Sequence, residues 1–270
     1  MNEVAKSRAT PGKMLSRTEG SVGWMIYDQQ AKYNAVTYDM RRAIPEILDK
    51  FEKNDEVRIV IVAGAGEKAF ISGSDVSQFG EKRSSKEMIK LYDEASEQAN
   101  SAMKNFPKPL IAMIQGYCLG AGVLTAMLCD FRIAADNSVF GLPPAKLGLG
   151  FGYGGVDNLV NLIGPAYASE MLFTGNRYNA EEALKMGLVN QIVRHTKLEQ
   201  TAIDVAETIA LNAPLTIKLL KTSIQNTQLD EGHRDMEKVQ AQIDACFESE
   251  DYQEGRKAFL EKRRPNFKGR

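Results

Sequence analysis

The sequence has 270 residues, of which 43% are hydrophobic and 26% charged, a composition typical of a globular protein with one large domain or a domain plus an extension. Its formal net charge of -1 gives no general attraction to nucleic acids or anionic membranes, and we expect neither as a partner. The two histidines exclude a histidine-rich metal site, and three widely spaced cysteines indicate free thiols in a reducing compartment, which we expect to be the cytoplasm.

The amino-terminal segment is predicted to begin with a flexible leader. Residues 1–17 (MNEVAKSRATPGKMLSR) have no apolar core of the kind found in secretory signals. Two short segments, 13–20 and 22–29, meet at Gly20 and predict a β-hairpin. No stretch of the sequence approaches the roughly 18–20 consecutive apolar residues of a membrane-spanning helix.

A helix and a buried strand are predicted next. Apolar residues recur at helical spacing from Met40 to Phe51, with Thr37 as the amino-terminal cap and Pro45 predicting a kink. Residues 57–64 (VRIVIVAG) are almost all apolar or β-branched. Such a run is typical of a strand that is buried on both faces of a sheet covered by helices.

The central segment alternates helices with strands. We predict a helix over residues 85–104 and strands over 110–114 and 131–136, with a short further strand over 138–143. Because strands and helices follow one another in this way, the sequence predicts the α/β class.

The last third of the chain is predicted to be largely helical. Asn179, followed by Glu182 three residues later and by Gly187, indicates a helix with a capping box and a glycine stop. Helices are then predicted over residues 196–264. The resulting division is a flexible leader and first strand over 1–18, an α/β core over 19–195 and a helical region over 196–270.

A glycine-rich octapeptide, GLGFGYGG, spans residues 148–155. Gly150, Gly152 and Gly155 match the G-x-G-x-x-G pattern of dinucleotide-binding loops. Such a loop needs a strand immediately before it, but here the preceding residues are LPPAKL, and proline is excluded from central strands. We interpret the glycines as loop geometry, and a nucleotide-dependent oxidoreductase is an alternative that rests on this match alone.

Two other segments contain residues suited to holding a negatively charged oxygen. Gly120, Ala121 and Gly122 open a predicted helix after a buried strand, and Ser74 and Asp75 follow a glycine after another. Tiny residues at a helix start let a ligand approach bare backbone N–H donors, where the helix dipole favours negative charge. Close packing of a helix on a strand also requires small residues, so the residues alone leave both interpretations open.

Together these segments resemble the crotonase (enoyl-CoA hydratase/isomerase) superfamily. Residues 111–131 (IAMIQGYCLGAGVLTAMLCDF) are similar to the family signature position by position: an apolar strand, a polar residue, a glycine, three tiny residues and a final Cys-Asp. Three further segments resemble other family motifs: 33–36 (YNAV), 174–193 (TGNRYNAEEALKMGLVNQIV) and 258–269 (AFLEKRRPNFKG). The resemblance extends from about Val22 to Gly269.

The resemblance implies an α/β fold with a spiral core of ββα units and a carboxy-terminal helical trimerisation region, in a homotrimer or a dimer of trimers. It implies an acyl-CoA thioester as substrate, in fatty acid metabolism, with no separate cofactor and no metal. The backbone amides of Ser74 and Ala121 are implied to hold the thioester oxygen as it becomes an enolate oxygen. The other residues implied to contact the CoA or acyl group are Ala31, Lys32, Asn34, Ala69, Ser72, Gly73, Asp75, Val76, Gly120, Leu124 and Pro144.

This chain departs from the family pattern at its acid positions. A hydratase of the family uses two glutamates, and the matching positions hold Leu124 and Pro144. Some isomerases use an acid at a third position, which here is Gly152. The missing acids argue against simple hydration, because that reaction needs proton transfer. Tyr153 and Asp157 are the candidate proton-transfer residues nearby. The alternative for Tyr153 is simple packing, and the alternatives for Asp157 are capping of a helix start and an ordinary helix-start charge.

The sequence therefore leaves two classes of function open. The first is an acyl-CoA enzyme, a lyase or isomerase that is hydratase-like at family level, with decarboxylation of a malonyl-type thioester or thioester hydrolysis as alternative reactions. The second is a catalytically weak acyl-CoA-binding protein that retains the fold.

Overall fold

The computed structural model describes residues 12–78 and 86–270, so that most of the predicted leader, residues 1–11, lies outside the described residues. Two sheets and the helices packed on them make up the described fold. The strands are β1 (Lys13–Glu19), β2 (Val22–Asp28), β3 (Ile59–Gly64), β4 (Ala69–Ile71), β5 (Leu110–Ile114), β6 (Tyr117–Leu119), β7 (Phe131–Ala135), β8 (Val139–Gly141), β9 (Tyr178–Asn179) and β10 (Gln191–Val193). The helices are α1 (Tyr38–Lys53), α2 (Lys86–Asn105), α3 (Ala121–Met127), α4 (Pro144–Leu147), α5 (Tyr153–Thr174), α6 (Ala180–Lys185), α7 (Leu198–Ala210), α8 (Pro214–Thr227), α9 (Met236–Glu248) and α10 (Glu250–Leu260).

The larger sheet has six strands in the order β1-β2-β3-β5-β7-β10. β1 and β2 form the predicted hairpin, which is confirmed, and every other neighbouring pair in this sheet is parallel. Parallel neighbours need crossover connections, and here α1 joins β2 to β3, while β6 and α3 together form the connection from β5 to β7. The alternation of strands and helices confirms the predicted α/β class.

Strand β3 of the six-stranded sheet is buried on both faces, as its run of apolar residues predicted. Val60 and Val62 lie in the core that includes the apolar side chains of α1. Ile59 and Ile61, which alternate with them, lie in a second core that includes Leu198 and other apolar residues of α7. Successive side chains of a strand point to opposite faces, so β3 separates these two cores.

The start of α1 follows the sequence prediction. Thr37 is the amino-terminal cap, and its Oγ1 accepts a hydrogen bond from the Met40 N–H at 3.2 Å. The buried side of the helix carries Met40, Ile44 and Phe51 among others, and the helix continues through Pro45.

A second, smaller sheet was not predicted in full. Its order is β4-β6-β8-β9, and no strand is predicted from the sequence at the positions of β4 and β6. Each of these two strands has three residues, too few to show a period. Two glycines allow other backbone segments to approach closely here. A Cβ added at Gly116 would collide with the Lys68 carbonyl oxygen, and a Cβ added at Gly122 would collide with the Ile71 carbonyl oxygen. Gly122, the second residue of α3, therefore serves close backbone packing.

The carboxy-terminal helices are anchored to the sheet by a buried lysine. Lys221 of α8 is 9% exposed, and its Nζ donates to Asp130 Oδ2 at 2.8 Å and to the Lys108 carbonyl at 2.9 Å. Asp130 Oδ2 also accepts the Leu110 N–H at the start of β5. These bonds hold α8 against the six-stranded sheet of the same chain.

The predicted division of the chain into a leader, an α/β core and a helical region, with boundaries after residues 18 and 195, stays a prediction. Across the described segments, no helix combines the length and apolar character that crossing a membrane requires.

Candidate active site

The first candidate donor is the backbone amide of Ser74, shortly after β4. The Val36 N–H donates to the Gly73 carbonyl at 2.8 Å, and the Asp75 N–H donates to the Val36 carbonyl at 2.9 Å. This is the pattern of a parallel bridge between Val36 and Ser74, in which the bridged residue's own N–H points away from its partner. Among the described residues the Ser74 N–H has no acceptor, so it is available to a ligand.

The second candidate donor is the backbone amide of Ala121, the first residue of α3. The first N–H groups of a helix have no acceptor within the helix, and no other described group accepts this one. Gly120 precedes it with φ 52° and ψ -113°, a conformation that strongly favours glycine. The Gly120 N–H donates to the Gly141 carbonyl at 2.8 Å, which fixes the turn that presents Ala121.

The two donors are brought together by contact between the glycines that precede them. A Cβ added at Gly120 would lie 3.7 Å from Gly73 Cα, so no side chain separates the two backbones. Gly73 has φ 134°, again a conformation that side chains rarely adopt. The structure therefore places the Ser74 and Ala121 amides on adjoining backbone turns, as an oxyanion hole requires.

Most of the residues implied to contact the CoA or acyl group lie on two loops that touch each other. Ser72 Oγ donates to the Lys32 carbonyl at 3.1 Å, which joins the loop before α1 to the loop after β4. Ala31, Lys32 and Val76 are exposed and accessible to a ligand. Asn34 and Ala69 are buried, and the Asn34 side-chain amide donates to the Ala69 carbonyl at 2.8 Å. These two shape the loops from within, and the assignment of all these residues to CoA binding stays a prediction.

Asp75, another of these residues, is the centre of a buried polar network. It is 6% exposed, and its carboxylate accepts hydrogen bonds from Gln29 Nε2 at 2.9 Å, Lys32 Nζ at 2.8 Å and the Ser77 N–H at 3.1 Å. Burial by itself would raise the pKa of Asp75, but the hydrogen bonds from Lys32, Ser77 and Gln29 prevail and lower the pKa to about 2. The network locks the segment that carries the Ser74 amide.

Replacing this carboxylate is expected to destabilise the protein in a pH-dependent way. The pKa of Asp75 is about 2 in the folded chain, below the ordinary value of about 3.9, so its stabilising effect is present above pH 4 and is lost as the pH falls towards 2. For Asp75→Asn we expect a loss of about 1–2 kcal/mol in the free energy of unfolding at pH 7, shrinking at lower pH. Urea unfolding of the wild-type protein and of Asp75→Asn at pH 7 and at pH 3 measures the loss of stability and its dependence on pH.

A matched control is Asp49→Asn, which removes one carboxylate of an exposed pair with Lys53 on α1. That pair should contribute less than about 0.5 kcal/mol, because solvent screens exposed helical ion pairs. A loss for Asp75→Asn that is no larger than the loss for Asp49→Asn, or that does not change between the two pH values, would contradict the role of the network.

Apolar side chains occupy the positions where the family's glutamates belong. A Cβ added at Gly155 would lie 3.4 Å from Leu124 Cδ2 and 3.0 Å from Phe151 Cε1, so these two side chains converge on the start of α5. Pro144 begins the short helix α4 and is partly buried. None of these side chains has a group that transfers a proton.

Tyr153 and Asp157, the candidate proton-transfer residues, lie in the first two turns of α5. Tyr153 is 83% exposed, and Asp157 is exposed as well. Being four residues apart, they share one face of the helix. Gly152 occupies the amino-terminal cap, so Asp157 is not a capping residue, which removes one of the alternatives for it. Their role in catalysis stays a prediction.

The octapeptide over residues 148–155 is not a dinucleotide-binding loop. Helix α4, which ends at Leu147, precedes its glycines, where such a loop would need a strand. Gly148 ends α4 with φ 62°, and the last three residues form the start of α5. The oxidoreductase alternative loses the only observation on which it rested.

Two polar side chains were not predicted from the sequence: Arg41, which contacts the Ser74 side chain, and Tyr27, which interacts with Arg41. Burial raises the pKa of Tyr27 well above its usual range, while the charge of Arg41 and a hydrogen bond with the Thr125 side chain oppose the rise. The Tyr27 hydroxyl therefore stays protonated. Arg41 precedes the buried Ile44 by three residues, so it lies in the apolar stripe of α1. A charged residue in that stripe was the feature of the sequence that could have identified it.

The chain is similar to known proteins over almost its whole length. The chain is 33% identical over 258 residues to the short-chain-enoyl-CoA hydratase of Clostridium acetobutylicum, covering 95% of this chain and 98% of that protein. It is 35% identical to the carnitinyl-CoA dehydratase of Proteus mirabilis, covering 94% of this chain and 97% of the relative. The crystal structure of an enoyl-CoA hydratase from Bacillus anthracis superposes with a TM-score of 0.89 at 32% identity, covering 96% of this chain and 100% of that one.

The match to the family itself covers almost the whole chain. The family model described as enoyl-CoA hydratase/isomerase matches residues 17–270. The predicted fold class is confirmed by the superposition, which includes the helices that follow residue 196. The resemblance inferred from the sequence motifs is confirmed as well, and the chain belongs to the enoyl-CoA hydratase/isomerase (crotonase) family.

Proposed function

We propose that this protein is an acyl-CoA-processing enzyme that stabilises a thioester enolate with the backbone amides of Ser74 and Ala121. The observation that carries the proposal is the pair of free N–H groups on adjoining glycine-flanked turns. Negative charge develops on the thioester oxygen as the enolate forms, and preorganised donors in a site shielded from water stabilise that charge by about 3–4 kcal/mol each.

The reaction within this class is proposed to be one that needs no carboxylate at the usual positions. Leu124 and Pro144 cannot activate water or protonate carbon. Loss of CO₂ from a malonyl-type thioester needs no base, because the breaking C–C bond leaves its electron pair on the α-carbon and so forms the enolate directly. Thioester hydrolysis is the other reaction that these residues leave open. Tyr153 and Asp157 are the proposed sources of a proton.

The assembly proposed for this enzyme is a homotrimer or a dimer of trimers. Large apolar side chains are exposed on the single chain: Phe173 at 77%, Phe259 at 83% and Leu260 at 79%. Exposed apolar groups of this size favour an interface between subunits.

We further propose the cytoplasm as the location of the enzyme and coenzyme A as part of its substrate. We propose no separate cofactor or metal, and neither nucleic acid nor a membrane as a partner.

Turnover of a panel of thioesters tests the proposed function. Crotonyl-, methylmalonyl- and aromatic acyl-CoA are each incubated with the protein, and the products are identified by mass spectrometry. We expect loss of CO₂ or cleavage of the thioester in at least one case, and slower turnover in Tyr153→Phe and Asp157→Asn. Binding of the thioesters without any turnover would instead favour the acyl-CoA-binding protein. Unchanged turnover in both variants would remove the two proton-transfer assignments.

A further inference from the structure

One charged side chain beside the oxyanion hole has no role in the function proposed so far. Arg41 is half-buried on the face of α1 that also carries the core residues Met40 and Ile44. Its Nη2 donates to Ser74 Oγ at 3.1 Å, and its Nε donates to the Tyr92 hydroxyl at 3.3 Å. The guanidinium also lies 5.3 Å from the centre of the Tyr92 ring. These contacts hold it in one place.

The partners of this guanidinium do not neutralise its charge. Both hydrogen-bond acceptors are hydroxyls, and no carboxylate of the described residues lies within 4.0 Å. Nη1 donates to none of the described groups, so its two N–H donors are not used within the described structure. A guanidinium fork matches the two oxygens of a carboxylate, and a partly buried cation without an anionic partner is costly. The geometry is that of an anion-binding group without its anion.

The open guanidinium is close enough to the oxyanion hole to contact the acyl group. The covalent geometry of a serine places its amide nitrogen roughly 3–4 Å from its Oγ, so Arg41 Nη2 lies within roughly 7 Å of the Ser74 donor. A carboxylate two or three bonds beyond the thioester carbon lies roughly 3–5 Å from the thioester oxygen. An acyl group held by the Ser74 amide can therefore extend a carboxylate to Arg41.

The missing glutamates point to the same ligand. A glutamate at position 124 or 144 would repel an anionic acyl group, and these positions hold Leu124 and Pro144. An anionic acyl group would thus explain both the absence of the two glutamates and the presence of Arg41 without a carboxylate partner.

We propose that Arg41 is a specificity-determining residue that binds a carboxylate on the acyl group, and that the substrates are CoA thioesters of short dicarboxylic acids. This inference rests on the proposed function and names the substrate class of the same site. Decarboxylation is one reaction that such substrates permit, but the recognition by Arg41 does not depend on which reaction follows.

Matched pairs of thioesters that differ only in the carboxylate test this inference. Isothermal titration gives the dissociation constants of malonyl-CoA against propionyl-CoA, and of succinyl-CoA against butyryl-CoA. We expect the wild-type protein to bind at least one carboxylated member about 10-fold to 100-fold more tightly than its neutral counterpart, as hydrogen bonds to a charged group allow. Arg41→Met should abolish this preference while leaving the affinity for the neutral member within about 3-fold.

Arg42 on the same helix provides the control. It is exposed and lies 6.0 Å from the Tyr38 ring, so Arg42→Met removes an equal charge without touching the Ser74 side chain. Arg42→Met should keep the preference, and Arg41→Lys should keep part of it. Equal binding of both members of each pair by the wild-type protein, or an equal loss for both members in Arg41→Met, would overturn the inference alone. No binding of any of the four thioesters would overturn the proposed function as well.

Discussion

Crotonyl-CoA should be hydrated by this protein far more slowly than by the short-chain-enoyl-CoA hydratase of Clostridium acetobutylicum, to which it is 33% identical. Hydration requires a base that activates water and an acid that protonates the α-carbon. Each such group typically contributes about 10²-fold to 10⁴-fold, and the chain has Leu124 and Pro144 where the family's two glutamates belong. We therefore expect a deficit of at least about 10²-fold in kcat/KM.

The measurement is the loss of crotonyl-CoA absorbance with both proteins under identical conditions. Binding of butyryl-CoA by the same preparation shows that the site is intact, so that slow hydration cannot be attributed to unfolded protein. A rate within 10-fold of the Clostridium acetobutylicum enzyme would contradict the prediction. It would mean that groups other than carboxylates at positions 124 and 144 transfer the protons, and Tyr153 would then be the first residue to test.

The helices and strands that could be predicted from the sequence are those whose structure is determined by residues close together in the chain. β3 is a run of apolar and β-branched residues, and α6 carries a capping box in which Asn179 Oδ1 accepts the Glu182 N–H at 2.9 Å. Each of these patterns fixes its element within a few residues of the chain. β4 and β6 have no such cause, because three residues form a strand only when a neighbour supplies the hydrogen bonds.

The candidate site likewise has a part that the sequence predicts and a part that only the fold shows. Ser74 and Ala121 could be named from motifs that resemble a family, because a motif preserves which backbone groups the site uses. The contact between Gly73 and Gly120 that brings the two amides together joins residues 47 positions apart, and no local pattern contains it. Arg41 could not be assigned for a related reason: the sequence places a charge in an apolar stripe, but only the fold shows that its neighbour is Ser74.

Replacement of Ala121 by proline is expected to remove one donor of the oxyanion hole with little effect on folding. Proline has no N–H, and it is favoured at the first position of a helix, which Ala121 occupies in α3. The restriction that proline places on the preceding residue is tolerable here, because Gly120 has φ 52° and ψ -113°, outside the right-handed helical region that proline disfavours. The free energy of unfolding should therefore change by less than about 1 kcal/mol.

Catalysis should respond much more strongly than stability. Loss of one oxyanion donor typically lowers kcat by about 10²-fold to 10³-fold, so Ala121→Pro should lose that much on whichever thioester the wild-type protein turns over. Ala121→Ser keeps the amide and a small side chain, and it should retain activity within about 10-fold, since the donor belongs to the backbone. Thermal unfolding of both variants, run beside the kinetics, separates a lost donor from a lost fold. Full activity in a folded Ala121→Pro would show that this amide does not hold the thioester oxygen.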